Sequence, residues 1–286
     1  MADVTVYEVG PRDGLQNEKR VIPTAEKVAL IDALSECGFR FIEAASFVSP
    51  KWVPQMADGS EVIASIVRRE GVAYAALVPN ARGLEAALAA RVDEAAVFVS
   101  ASEGFSKANL NCTIDESFER IAPVAARALD KGISLRGYVS CVTDCPFDGR
   151  TEPAQVAAVA ARLFDLGCRE VSLGDTIGQG VPETVDAMLG AVLGIADSAR
   201  LAGHFHDTNG RALENVEVAL ERGLRVFDSA VGGLGGCPYA PGAAGNLATE
   251  ALAERLDGLG HIIGLDLGRI AQAAGMARRM RTGAPE

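Results

Sequence analysis

LAGHFHDTNGRALENVEVALERGLRVFDSAV, residues 201–231, holds a complete structural unit. Leu201–His206 reads as a short strand, Arg211–Arg222 as a helix rich in Ala and Leu, and Val226–Val231 as a second strand. Gly223 sits where a helix that ends in a left-handed residue needs glycine. A strand, a helix and a strand in this order predict parallel strands joined by crossover helices.

The same unit repeats outward in both directions. Further strands are expected at Val4–Val9, Phe39–Ala45, Ala73–Val78, Ala95–Ser100, Ser134–Ser140 and Glu170–Gly174. Further helices are expected at Ala25–Cys37, Ser60–Arg69, Ala81–Ala90, Ile114–Lys131, Pro153–Leu166, Pro182–Ala196 and Leu247–Leu256. Thr113 with Glu116 forms a capping-box signature, and Pro153 and Pro182 suit first helical turns. Gly38, Gly71, Gly132, Gly167 and Gly223 are the helix stops. Eight units in about 250 residues fit a (β/α)8 TIM barrel of class α/β, and no dinucleotide fingerprint argues for an open sheet. One catalytic domain is expected over residues 1–286, with an added C-terminal helical segment over about 262–286.

Hydrophobic residues make up 49% of the chain and charged residues 23%, enough apolar material for a large core. The formal net charge of -11, without a Lys/Arg block, excludes the electrostatic footprint of a nucleic-acid binder. No apolar stretch reaches the length of a membrane span. No leader pattern precedes Val4, so a soluble cytoplasmic protein is expected. Six scattered cysteines do not suggest a disulfide framework, and reduced thiols are expected.

Polar residues gather at the strands' C-terminal ends, where barrel active sites are built. Gly10-Pro11-Arg12-Asp13-Gly14 follows the first strand, Glu43 interrupts the second, and Asp175 ends the sixth. His204 and His206, two of only three histidines, stand at i and i+2 and so project from one face of the seventh strand. One core histidine would be unremarkable; a pair beside Asp207 and Asn209 points to a metal. With Asp13 as the carboxylate, the shell mixes N and O donors and suits Mg2+, Mn2+ or Co2+. The loop Gly232–Asn246 is rich in glycine and carries Cys237, so a thiol on a mobile lid and a plain flexible connection are both open.

Taken together, EVGPRDGLQNE from Glu8, SFVSPKWVPQMAD from Ser46, GYVSCVTDCPFDG from Gly137, SLGDTIGQG from Ser172, GHFHDTNG from Gly203 and GLGGCPYAPGAAGNLATE from Gly233 resemble the hydroxymethylglutaryl-CoA lyase family. That family belongs to a metal-dependent barrel group that includes isopropylmalate synthase, and the match runs nearly end to end. The resemblance implies that Asp13, His204, His206 and Asn246 ligate a divalent cation, Mg2+ or Mn2+. It implies that Arg12 stabilises an enolate and that Cys237 donates a proton. Asp13 and His204 become candidate bases, Glu43 and Asp175 complete the catalytic set, and Lys19 and Ser46 join Arg12 near the substrate. An acyl-CoA substrate and a homodimer are implied as well. Gly104 replaces a bulkier residue expected from animal members. No cysteine follows Cys237, so redox control through a C-terminal thiol is not expected.

Three alternatives stand beside this one. A lyase of the same mechanism could act on a longer 3-hydroxy-3-alkylglutaryl-CoA, such as the isohexenyl compound. A Claisen-condensing synthase would share the Arg-Asp-Gly and His-Phe-His elements but is disfavoured by the cysteine loop. A silent scaffold is disfavoured by the intact acid, base, metal and thiol set.

Overall fold

The computed structural model describes residues 2–237 and 240–282, with residues 236, 237 and 240–244 described by their backbone alone. Eight parallel strands close into a barrel: β1 Thr5–Glu8, β2 Phe41–Ser46, β3 Ala73–Leu77, β4 Glu94–Ser100, β5 Ser134–Ser140, β6 Glu170–Asp175, β7 Leu201–Phe205 and β8 Val226–Ser229. Each pairs with its sequence neighbours, and β8 returns to β1 with Thr5 opposite Val226 and Glu8 opposite Ser229. The eight-strand expectation from the sequence holds at every position, within one or two residues at the ends.

The helices are α1 Thr24–Ser35, α2 Gly59–Ser65, α3 Ala81–Ala90, α4 Glu103–Leu110, α5 Ile114–Asp130, α6 Pro153–Asp165, α7 Pro182–Val192, α8 Ala212–Glu221, α9 Thr249–Gly258 and α10 Leu267–Thr282. The capping box is present: Glu116 N–H donates to Thr113 Oγ1 at 3.1 Å, and Thr113 N–H donates to Glu116 Oε2 at 2.8 Å. All five helix-stop glycines have positive φ. At Gly38 the constraint is double, because φ is +96° and an added Cβ would lie 2.5 Å from the Gly264 carbonyl oxygen.

Three helices depart from expectation, and one of them, α7, ends at Val192 instead of Ala196. α2 ends at Ser65 instead of Arg69 because Val67 N–H turns to the Asp32 carboxylate on α1, at 2.8 Å, and leaves the helical ladder. α4 had no counterpart in the sequence-based expectation. Its signal is local: Ser102 Oγ accepts from Phe105 N–H at 3.1 Å as an N-cap.

No helix among the described residues is long and apolar enough to cross a membrane. The apolar core lies between sheet and helices, as the Ala- and Leu-rich helix faces require. The barrel interior is different. Tyr7, Glu94, Arg136, Tyr138, Glu170, Ser172 and Asp228 are all buried there, carrying hydroxyls and charges where layers of branched apolar side chains usually sit.

Closure of the barrel is fastened by Glu8. Its Oε1 accepts from Gly10 N–H at 2.7 Å and Val231 N–H at 3.0 Å, and its Oε2 accepts from Thr249 Oγ1 at 2.7 Å. One carboxyl thus joins the ends of β1 and β8 to the first turn of α9. Burial pushes this carboxyl from 4.5 up to about 7, against the opposing pull of those three hydrogen bonds. The folded state therefore holds a proton that the unfolded chain releases above its own pKa. The contribution of Glu8 to stability is complete below that lower value and declines as pH rises through the folded one. Glu8→Gln keeps an acceptor oxygen but cannot ionise. Between pH 5 and 8 the wild type should lose on the order of 2 kcal/mol relative to this variant. Urea midpoints measured across that pH range give the comparison, and parallel pH profiles would refute it.

Candidate active site

β1 ends at Glu8, and the chain then makes one wide helical turn, Gly10–Gly14, in which the amides of Arg12, Asp13 and Gly14 all donate to the Val9 carbonyl at 3.1, 2.8 and 3.3 Å. Such turns often mark functional sites. This one presents Arg12 and Asp13 together at the barrel mouth. Gly14 is required because an added Cβ would meet Leu234 Cβ at 2.6 Å, so the β1 turn packs directly on the start of the cysteine loop.

Arg12 is almost wholly buried and lies between two carboxylates. Its Nε and Nη2 each approach Glu43 Oε2 at 2.6 Å, and its Nη1 donates to Asp13 Oδ1 at 2.5 Å. Glu43 Oε2 also accepts from the Tyr138 hydroxyl at 3.2 Å, whereas Glu43 Oε1 is buried without a partner among the described residues. Burial raises the Glu43 carboxyl above its usual range despite Arg12. For Asp13 the balance falls the other way. Burial would raise it, but Arg12, His204 and His206 hold it down to about 2, so it is an anion at neutral pH.

The histidine pair lies opposite. His204 Nδ1 is 3.1 Å from Asp228 Oδ2, which leaves Nε2 directed to Asp13 Oδ2, 4.0 Å away. His206 bonds the Thr176 backbone and keeps Nδ1 buried without a partner among the described residues; burial lowers it to about 4, so the ring is neutral. The two rings stand 5.3 Å apart between centroids. One ligand atom from each of Asp13, His204 and His206 falls within 4.8 Å of the others. A carboxylate oxygen and one ring nitrogen from each of two imidazoles, close enough to share a single ion, fit a divalent cation, and a buried ring nitrogen of His206 has no partner among the described residues.

Asn246 joins this group through an isolated bridge to His206. Its Nδ2 donates to Asp13 Oδ2 at 2.9 Å and to the Leu234 carbonyl at 3.4 Å. As a cation ligand it would have to present its oxygen, which a half-turn of the carboxamide achieves. The remaining residues singled out from the sequence are more dispersed. Asp175 is fully buried but serves the loops, accepting from Thr143 Oγ1 at 2.9 Å and from the amides of Gln179 and Gly180 at 3.2 and 2.8 Å. Ser46 is buried at the end of β2 and accepts from Val48 N–H at 3.3 Å. Lys19 is exposed. The backbone of Cys237 lies in a two-residue strand, Gly236–Cys237, paired antiparallel with Ala240–Ala244; its side chain lies outside the described residues. The other five cysteines are free and buried.

Sequence reasoning missed the groups behind these. Asp228 on β8 orients His204 and is itself held by Arg136, at 2.7 Å to Nη2, and by Ser172 Oγ at 2.7 Å. Against the cost of burial, Arg136 and His204 keep Asp228 well below the usual carboxylate range. An acid inside the buried strand Val226–Ser229 was the same kind of signal that picked out Glu43. Gly104 also receives an explanation. Its N–H donates to Asp148 Oδ2 at 2.6 Å, and an added Cβ would fall 2.3 Å from Asp148 Oδ1, so the small residue admits a carboxylate to the first turn of α4.

Residues 3–276 match the HMGL-like family model. The chain belongs to the HMGL-like family. It is 53% identical to the hydroxymethylglutaryl-CoA lyase of Pseudomonas mevalonii over 99% of this chain and 96% of that one. It is also 53% identical to a 3-hydroxy-3-isohexenylglutaryl-CoA/hydroxymethylglutaryl-CoA lyase of Pseudomonas aeruginosa, over 94% of this chain and 90% of that one. The crystal structure of the HMG-CoA lyase from Brucella melitensis superposes with a TM-score of 0.98 at 60% identity, covering 99% of this chain and all of the other.

Within this HMGL-like site, Asp228 should tune the donor strength and tautomer of His204 without touching a cation. Asp228→Asn is expected to weaken Mn2+ binding about 10- to 100-fold, as loss of a carboxylate behind a ligating histidine commonly does. Electron paramagnetic resonance titration of free Mn2+ measures this directly. An affinity unchanged by the substitution would remove Asp228 from the site's design.

Proposed function

We propose that this chain is a carbon–carbon lyase that splits 3-hydroxy-3-methylglutaryl-CoA into acetoacetate and acetyl-CoA. The observation that carries this proposal is the placement of a buried guanidinium, Arg12, against the three-donor cluster of Asp13, His204 and His206 at the barrel mouth. Family relatives named for this reaction, alike along nearly the whole chain, support it.

Cleavage of the C2–C3 bond requires a base for the C3 hydroxyl proton and a counter-charge for the thioester enolate that forms as acetoacetate departs. A divalent cation held by Asp13, His204, His206 and the turned carboxamide of Asn246 would supply Lewis acidity at the substrate oxygens; Mg2+ or Mn2+ suits the donors. Asp13 or His204, directly or through a water, takes the hydroxyl proton. The O–H electron pair becomes the new C=O, and the C2–C3 pair moves onto the thioester. Arg12 meets the negative charge on the thioester oxygen with a planar fork already fixed by Glu43 and Asp13, which a lysine could not reproduce. The Cys237 thiol then protonates C2 to give acetyl-CoA.

A cavity of about 390 Å3 adjoins the site, lined by Gln16, Glu18, Trp52, Gln55 and Asn109 among others. Gln16 connects it to the cluster through a 3.0 Å hydrogen bond to Asp13 Oδ1. We assign the acyl-CoA to this side of the mouth, with Lys19 and Ser46 at its edge. Glu43 and Asp175 act as supports, the first for Arg12 and the second for the loops after β5 and β6. Residues 1–286 act as one catalytic unit, and a cytoplasmic homodimer is the state proposed. The isohexenyl substrate remains a second reading, favoured by the relative named for both acyl groups.

Steady-state cleavage of the methyl substrate, with and without Mn2+ or Mg2+, tests the activity. Arg12→Gln should lower kcat by about 10²- to 10³-fold with a smaller change in KM. Chelation should abolish turnover until metal is restored. If the methyl substrate stays intact with metal present, the proposal fails; a faster rate on the isohexenyl compound would shift it to the second reading.

A further inference from the structure

The cysteine loop begins with Gly232-Gly233-Leu234-Gly235, three of these four being glycine, yet its first backbone groups are gripped by charged side chains from both ends of the chain. Gly232 N–H donates to Glu250 Oε2 at 2.9 Å, and Glu250 Oε1 accepts from Arg278 of α10 at 2.9 Å. Gly235 N–H donates to Glu18 Oε1 at 3.2 Å. That same oxygen lies 3.0 Å from Arg281 Nε, and Arg281 Nη1 donates to the Gly233 carbonyl at 3.4 Å. Arg20 adds a bond to the Met280 carbonyl at 3.1 Å, so the segment carrying Glu18 is itself held against α10. Gly232 and Gly235 have φ of +67° and +93°, and an added Cβ on Gly232 would stand 2.9 Å from Ala277 Cβ.

A half-exposed ion pair contributes little to global stability. Its position is more informative. Glu18 and Arg281 together fix a backbone oxygen and a backbone N–H within three residues, and Gly236–Cys237 follows at once. Leu234, between those two points, gives its carbonyl to Asn246, so the same stretch touches the cation cluster.

We propose that Glu18 and Arg281 form a clamp that positions the backbone leading into Cys237, and thereby the thiol. They are positioning residues: Arg281 does not line the cavity given to the acyl-CoA, and Glu18, which does, acts here through the Gly235 N–H. The proposal rests on the role given to Cys237 above and adds that the C-terminal helix determines where that thiol is delivered.

The test uses the full chain with Arg281→Ala, Arg281→Lys, Glu18→Gln and the Glu18→Gln/Arg281→Ala pair. Four quantities are read: kcat and KM on the methyl substrate, Mn2+ affinity, melting temperature, and the rate at which iodoacetamide alkylates Cys237, followed by peptide mass spectrometry. Arg281→Ala should lower kcat about ten-fold with KM little changed, and should shift the alkylation rate by a comparable factor. Mn2+ affinity and melting temperature should stay put, Arg281→Lys should recover part of kcat, and the double variant should be no worse than the worse single one. The clamp is overturned if kcat and alkylation stay within about two-fold of wild type in both Arg281→Ala and Glu18→Gln. It is equally overturned if kcat falls only in step with Mn2+ affinity or melting temperature. Cys237→Ala separates the two ideas: wild-type turnover in that variant would end the acid role of the thiol, while the alkylation rates of the other variants would still judge the clamp.

Discussion

A permanent cation enclosed by the barrel sets the conditions for everything above it. Arg136 is fully buried, with Glu170 at 2.7 Å and Asp228 at 2.7 Å, and its guanidinium carbon lies 4.0 Å from the centre of the Tyr7 ring and 4.9 Å from that of Tyr138. Removing one charge from such a group costs several kcal/mol, so each partner is compulsory once the arginine is present. Compulsory partners have fixed positions. Asp228, committed to Arg136, can offer His204 only one direction of approach. Tyr138, donated to by Arg136 at 2.8 Å, has its own hydroxyl proton left for Glu43, and Glu43 holds Arg12. Ionic and hydroxyl contacts thus run unbroken from the barrel interior to the two groups, Arg12 and His204, whose orientation matters most. Net stability is a poor explanation for a barrel filled this way. Directional order at the mouth is a better one, because preorganised charges need not rearrange when a reaction develops charge beside them.

The distinction between strands and their contents explains what the sequence made legible. Eight strands were readable because parallel strands buried on one side by helices produce runs bounded by glycine stops, and those stops are local features: Gly38 and Gly167 need only their own φ to be recognised. Asp13, Glu43, His204 and His206 were readable because each violates the apolar expectation at a strand's end. Arg136, Glu170 and Asp228 violate it within strands, and were passed over because no local feature says that three such residues from β5, β6 and β8 meet one another. Their meaning is entirely tertiary. The same holds for Asp175, legible as an acid at the right place yet committed to Thr143, Gln179 and Gly180, contacts that only the folded loops bring about. α4 was missed for the opposite reason: it is short, Glu103–Leu110, and its start depends on a cap from Ser102 and a carboxylate brought in by Asp148.

The mouth therefore has two halves of unlike construction. On one side Arg12, Asp13, His204 and Glu43 are set by charges rooted in the barrel, and little short of unfolding would move them. On the other side the chain from Gly232 to Gly235 has no side-chain bulk with which to root itself, apart from Leu234 packed on Gly14. Its positions come from outside, through Glu18, Glu250 and Arg281. A retro-Claisen cleavage has matching needs. Charge must be stabilised at fixed points from the moment the bond breaks, whereas the proton must arrive at carbon only after acetoacetate has begun to leave. A rigid electrostatic half and an externally held half suit those two steps in turn. The charged half addresses only the hydroxyl and the thioester, and makes no demand on the substituent at C3.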